Sequence, residues 1–493
     1  MLHSSSLIVG LLLSSSVWAG SFDFLPAASG PEKEFQSLMN AGNYRQALIT
    51  WSTAHAHSPF ATSTNGTATY AFLLNQNGLP FSAQELLVQN TQPSRLNPSL
   101  LKIWTAELQK SPFMQKGWIA SSGGWKNIVH NDPVSIRINN KSDISIAFGQ
   151  ARRLPNDQLN AKARVLWQIA TRAPLINENE SALSALKELK ESKQNLIGQD
   201  LISINQARVL FQKGDLEGAL KAYQEVPKSS NLWVESVEER AWTQVRREEF
   251  DKALGTVVTL LSPALAPLEG PEPFYLANYL NLRVCDYVQL FKVSDLFKKR
   301  HRTRLSDIQE MARTGTNKNI NSALEKFEKG GVSLDAVGSL IESLPRTTLR
   351  DTKFVRTMQT RHQLLNEEKT ANQLVQETSA LGGQSLIENI AITARLKADR
   401  ARQNAVQRLR ALAQSEVKDY EVVLNKMHIV EAQAIERLHL DDSLKGQRSK
   451  LAKTDDNGDV LVFPYKSDEV WFDELDNYQA RVKDCPTLKG ASL

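Results

Sequence analysis

Cysteine is almost missing: the chain of 493 residues has two, Cys285 and Cys485. No apolar run reaches the ~18 residues that a membrane-spanning helix needs. The eight histidines are scattered. None falls in H-E-x-x-H or in a Cys/His cluster with zinc-ligand spacing, so neither a metal nor another cofactor is expected. The chain also lacks a G-x-S-x-G elbow and a G-x-x-x-x-G-K-[ST] phosphate loop, and no enzyme activity is expected. An excess of one charge is missing too, with 59 Lys and Arg against 54 Asp and Glu. A formal net charge of +5 does not select a partner class, and the 41% hydrophobic and 23% charged residues are those of an ordinary soluble protein of two or three structural regions.

What is present begins with "SLIVGLLLSSSVWAG", a short apolar run, serines and Val17-Trp18-Ala19 before Gly20. This reads as a signal peptide over residues 1–19, which makes the mature chain exported, in the periplasm or associated with the envelope. No cysteine follows the expected cleavage site, so a lipid anchor is not expected. Export argues against nucleic acid as a partner. So does "KKRHRTR", Lys298 to Arg304, whose basic residues have no interleaved aromatics. That run reads as a solvated helix end, or as a weak contact with an anionic membrane, a cell-wall surface or an acidic protein.

Internal repeats dominate the first half. In "INQARVLFQKGDLEGALKAYQEVP" a helix, a Gly214-Asp215 break and a second helix are spaced by Ala207, Leu210, Leu216, Ala219 and Tyr223. Ala207, Leu216 and Ala219 return as Ala241, Phe250 and Ala253, each 34 positions on, with Glu248 in place of the turn glycine. An N-terminal unit carries Phe35, Leu38, Gly42, Tyr44, Ala47, Trp51, Ala54 and Pro59 in the same register; a weaker one carries Ala71, Leu74, Gly78, Pro80, Ala83 and Leu87. The pattern resembles the tetratricopeptide repeat, a helix pair whose small residues let neighbouring helices approach closely. The resemblance covers residues 31–304, with a degenerate or inserted section at 113–157.

By that resemblance the first helix of each pair lines a groove that binds an extended peptide or a partner surface. The groove residues implied are Arg208, Gln212, Trp242 and Arg246; the alternative is that they are ordinary solvent-facing helix residues.

Residues 305–450 change character. Leu386 to Leu440 is a helical pattern without proline, preceded by Gly382-Gly383, and predicts a long antiparallel helical hairpin or coiled coil with Leu386, Ile390, Leu396, Ala405 and Leu409 buried. Residues 451–485 read as a cap. Asn457-Gly458 ahead of Val460 and Val462 signals a hairpin, and the acidic stretch there does not complete a calcium loop. Trp471, Leu475, Tyr478, Val482 and Cys485 fall on one stripe of an expected helix that docks on the last repeat. A Cys285–Cys485 disulfide is expected to fix it; the alternative is two buried free thiols. Residues 486–493 are an expected disordered tail.

The fold class is therefore all-α: a tetratricopeptide-like solenoid, a long helical hairpin and a short hairpin-plus-helix cap. The arrangement is similar to exported envelope tetratricopeptide proteins of gliding or predatory bacteria. The function this implies is an interaction scaffold or adaptor for envelope proteins, of undetermined oligomeric state. The alternative is a peptidoglycan-acting enzyme with a helical superhelix, for which Glu235-Ser236 is the candidate pair.

Overall fold

A computed structural model describes residues 25, 31–52, 58–111, 119, 124–125, 138–154, 159–192, 197–266, 268–378, 384–440, 461–463 and 478–480. These form eighteen α-helices and two three-residue strands, so the all-α expectation holds. The signal peptide, Trp471, Leu475, Val482, Cys485 and the 486–493 tail lie outside the described residues.

The chain divides into two compact units. The first comprises residues 1–131 with 360–401, the second residues 132–359 with 402–493. Each of two long helices gives one stretch to each unit. They are α17 (Thr352–Thr378) and α18 (Gln384–Leu440).

In the first unit, α1 (Pro31–Asn40) to α5 (Pro98–Lys110) include α2 (Tyr44–Thr50), α3 (Thr64–Gln76) and α4 (Pro80–Asn90). Their core gathers Met39, Leu48, Trp51, Leu73, Leu87 and Trp104 against Leu364, Ala371 and Leu374 of α17 and Ile387, Ala391 and Ala398 of α18. Each fully buried leucine contributes ~2 kcal/mol of transfer free energy. Two of the buried tryptophans also satisfy their polar edges: Trp104 Nε1 donates to Ala68 O at 3.1 Å and Trp125 Nε1 to Thr91 O at 3.1 Å.

The second unit opens with α6 (Lys141–Arg153), inside the section expected to be degenerate. Asn140 and Asp143 form a reciprocal capping box that starts it. Then come α7 (Leu159–Arg172), α8 (Asn179–Glu191), α9 (Gln199–Lys213), α10 (Leu216–Gln224), α11 (Trp233–Arg246), α12 (Phe250–Leu260), α13 (Glu272–Arg283), α14 (Tyr287–Thr314), α15 (Ile320–Gly330) and the short α16 (Leu334–Val337). Consecutive helices pack on each other, with Ala147, Ala151, Ala163, Ala170, Ala182 and Ala185 at their crossings.

One backbone device joins the helix pairs of both units. Gly42, Gly78, Gly214, Glu248 and Cys285 have φ of 72°, 83°, 91°, 62° and 57°. In each case the following N–H reaches the carbonyl five residues back: Asn43 to Leu38, Leu79 to Leu74, Asp215 to Leu210, Glu249 to Gln244 and Asp286 to Asn281. This is the Schellman closure. Asn43, Asp215 and Asp286 then cap the next helix through their side chains. Cys285 therefore lies in an inter-helix turn.

Three expectations need correction. First, α14 runs unbroken through Lys298 to Arg304, because its buried stripe of Phe297, His301, Arg304, Ile308 and Met311 keeps helical spacing through the charged run. Secondly, of the residues expected to be buried along the long helices, Ala405 and Leu409 are buried and Ile390 partly so, but Leu396 is 66% exposed. The side chain of Leu386 lies outside the described residues. Thirdly, Tyr478 is in a strand and not on a helical stripe. β2 (Tyr478–Ala480) pairs parallel with β1 (Leu461–Phe463), Val462 opposite Gln479, and runs beside α12. Here the open backbone of Leu461–Phe463 offers pairing that a helix cannot use, and tyrosine is a strand-favouring residue. The expected hairpin turn at Asn457-Gly458 lies outside the described residues.

Candidate functional site

Helical spacing puts Glu235, Glu238 and Glu239 of α11 on one face. Together they form one wall of a cavity of ≈ 530 Å³ in the second unit. Arg208 reaches across from α9: its Nε lies 2.9 and 3.0 Å from the two carboxylate oxygens of Glu239, and its Nη2 meets Glu235 at 2.5 Å. Tyr223 donates its hydroxyl to Glu239 at 2.9 Å. The facing wall is the turn before α17, where Arg350 Nη1 donates to Glu235 at 2.6 Å.

The third wall is α18. Glu416 accepts the backbone N–H of Arg346 at 2.7 Å and the guanidinium of Arg304 at 3.2 Å. Asp419 accepts Arg346 Nη2 at 3.2 Å, and Arg408 closes on Asp351 at 2.6 and 3.0 Å. The Arg304–Glu416 pair is buried on both sides, with side chains 7% and 3% exposed. Such a pair is costly to break because the remaining charge stays desolvated.

Five of the six carboxylates lining this cavity thus have an arginine partner. Glu238 is the exception: mostly buried, it makes no hydrogen bond or ion pair among the described residues. Burial pushes its carboxyl from 4.5 up to about 7, against the pull of Arg346, while Glu272, Glu235 and Glu239 push the same way as burial. Arg346 Nε is also buried without a partner. Where Gly270 passes, an added Cβ would stand 2.3 Å from Arg346 Nη1, so the missing side chain is what lets this guanidinium lie across the cavity.

A second cavity of ≈ 350 Å³ shares Val234, Leu268, Arg346 and Arg350 with the first. Its remaining lining combines Trp233, Leu265, Leu334 and Leu349 with Lys228, Ser229, Ser230 and Asn231.

Each of the four sequence-predicted groove residues contacts a neighbouring element. Arg208 belongs to the cavity wall. Gln212 Nε2 donates to Pro174 O at 3.1 Å, and Arg246 donates to Phe211 O at 2.9 Å with its guanidinium 4.8 Å from the Phe211 ring. Trp242 packs on Tyr275 and Tyr279 at 5.8 and 6.4 Å. Arg208, Trp242 and Arg246 bridge neighbouring helices, and Gln212 reaches the turn after α7. The sequence reading missed Glu238, Arg346 and Arg350: the α11 spacing of the glutamates was legible, but the arginines come from a turn more than 100 positions away. Among the described residues, no cluster of His, Cys, Asp and Glu has the geometry to hold a metal ion, and no helix is long and apolar enough to cross a membrane.

No family model, curated protein or solved structure matches the chain.

Proposed function

We propose that this chain is an exported, envelope-associated scaffold of the tetratricopeptide kind, which holds a protein partner at the double cavity between α11, α18 and the turn before α17. The supporting observation is the arginine–carboxylate frame. Five ion pairs fix the charged walls before any ligand arrives, and the adjoining apolar space of ≈ 350 Å³ offers hydrophobic burial. Preorganised walls reduce the ordering cost of binding. The recurrent Schellman turns and the 34-residue spacing support the repeat assignment.

The cap is part of the same reading. β2 lies beside α12 five positions before Cys485, Cys285 occupies a turn in the next helix pair, and there is no free cysteine among the described residues. These observations support a Cys285–Cys485 disulfide. Peptide mapping without reduction tests the bond, and the linked peptide is the expected product. Affinity capture from envelope extracts tests the scaffold: one or a few proteins are expected to be retained.

A second reading, a peptidoglycan-acting enzyme, has one observation in its favour. A carboxyl that titrates near pH 7 inside a cavity, as that of Glu238 does, suits a general acid. Glu235, the candidate in the sequence, is instead held by two arginines. Muropeptide release from purified sacculi, lost in Glu238→Gln, is the result this reading requires.

A further inference from the structure

The charge pattern of the larger cavity goes beyond the shape of a docking site. Its lining has six carboxylates, from Glu235, Glu238, Glu239, Asp351, Glu416 and Asp419, against the guanidinium groups of Arg346 and Arg350. Arg208, Arg304 and Arg408 reach in from behind to complete the ion pairs. The result is a frame in which every carboxylate but one is neutralised locally. Glu238 stays unmatched although Arg346 is near, because Arg346 is drawn to Asp419 and its own backbone N–H is held by Glu416. The adjoining cavity, which shares Val234, Leu268, Arg346 and Arg350, adds the apolar surface of Trp233, Leu265, Leu334 and Leu349, with Lys228, Ser229, Ser230 and Asn231 completing its lining.

We infer that the cavity receives a basic side chain of the protein partner, its cationic head paired with Glu238 and an adjacent apolar side chain seated in the neighbouring space. The inference rests on the scaffold reading and specifies the chemistry of its partner. A lysine fits the inventory. Its ammonium supplies the sixth cation of the frame, and its methylene stem can lie along Val234 and Leu268, which line both cavities.

Binding then takes up no new buried charge without a partner, which is the condition for an interior ion pair to be favourable. It also moves a proton. The groups facing Glu238 are Glu235 and Glu239 on its own helix, Glu272 on α13, Arg346 and Arg350 in the turn before α17, and Glu416 and Asp419 on α18. With a cation seated among them, Glu238 ionises, so association releases a proton below neutral pH and tightens as pH rises toward 8.

The test uses the full chain and two probes, N-acetyl-leucyl-lysine amide and its uncharged counterpart N-acetyl-leucyl-norleucine amide, by calorimetry at pH 6 and pH 8. The lysine probe is expected to bind at least about tenfold more tightly than the norleucine probe at pH 8. Glu238→Gln should erase that difference, while Arg302→Ala, on the exposed side of α14, leaves it. The carboxyl carbon resonance of Glu238, assigned by its loss in the variant, should titrate at lower pH when the lysine probe is bound. Equal binding of the two probes, a difference that survives Glu238→Gln, or no saturable binding of the lysine probe up to ~10 mM would overturn the inference. Such a failure alongside successful partner capture leaves the scaffold in place and removes only this cavity as the seat of a basic side chain.

Discussion

Glu367 of α17 caps a helix that begins 287 positions earlier in the chain. Its carboxylate accepts the backbone N–H of Phe81 at 2.5 Å and that of Ser82 at 3.1 Å, and the Ser82 hydroxyl at 2.7 Å, all at the start of α4. Leu79 at the N-cap has no side-chain acceptor of its own, so the cap is borrowed from another helix. Three donors at a helix N-terminus favour the charged carboxylate, yet burial wins and pushes its pKa from 4.5 up to about 7.

Two consequences can be measured. Glu367→Ala should cost ~2 kcal/mol, with amide exchange at Phe81 and Ser82 accelerated. Between pH 4.5 and 7 the folded chain keeps a proton on Glu367 that the unfolded chain has released. The contribution of this group to stability is therefore greatest at and below pH 4.5 and declines as pH rises toward 7. The Ala variant should lose that part of the pH slope in urea unfolding followed from pH 4.5 to 8.

Glu248 adopts φ of 62° with its side chain exposed, at the place where other helix pairs use glycine. Glu248→Gly should raise stability by ~0.5–1 kcal/mol, since relief of the left-handed strain exceeds the added chain entropy. A rise in the urea midpoint with unchanged slope is the expected result.

Cys285 occupies the same kind of turn, at φ 57°, but the opposite outcome is expected there. If it is cross-linked, Cys285→Gly loses ~2–5 kcal/mol of disulfide stabilisation, far more than the strain it relieves. A more stable Cys285→Gly protein would contradict the disulfide.

The basic run of α14 should split in two under substitution. Arg304 is buried against Glu416 and the Leu344 carbonyl, so Arg304→Ala should cost ~3–5 kcal/mol. Arg302 is exposed, and Arg302→Ala should stay within about 0.5 kcal/mol. Thermal unfolding of the two variants checks the difference.

That split shows where sequence patterning stops. The helix pairs were legible because Gly42, Gly78 and Gly214 mark turns and because alanines recur at fixed spacing. Even the irregular unit was legible, since Glu248 sat where a glycine belonged. By contrast, Lys298 to Arg304 looked like a solvated end, because hydrophobic periodicity does not register a buried histidine and a buried arginine. His301 is held by Tyr420, 119 positions away, whose hydroxyl lies 2.6 Å from Nδ1, and by the rings of Phe274 and Phe297. The capping box of Asn140 and Asp143 was readable by its spacing inside a section taken as degenerate. The cavity was not readable, because its pairing depends on which distant arginine reaches which α11 glutamate. Nor was Tyr478, whose strand exists through pairing with Leu461.

The central claim is that the chain grips a protein partner at the cavity around Glu238. Its most direct test is quantitative affinity capture from envelope extracts with the native chain, Glu238→Gln and the surface control Arg302→Ala in parallel. The account predicts that native and Arg302→Ala chains retain the same small set of proteins, and that Glu238→Gln loses at least one of them by about tenfold or more while remaining folded. Retention of the same set in the same amounts by all three would contradict it.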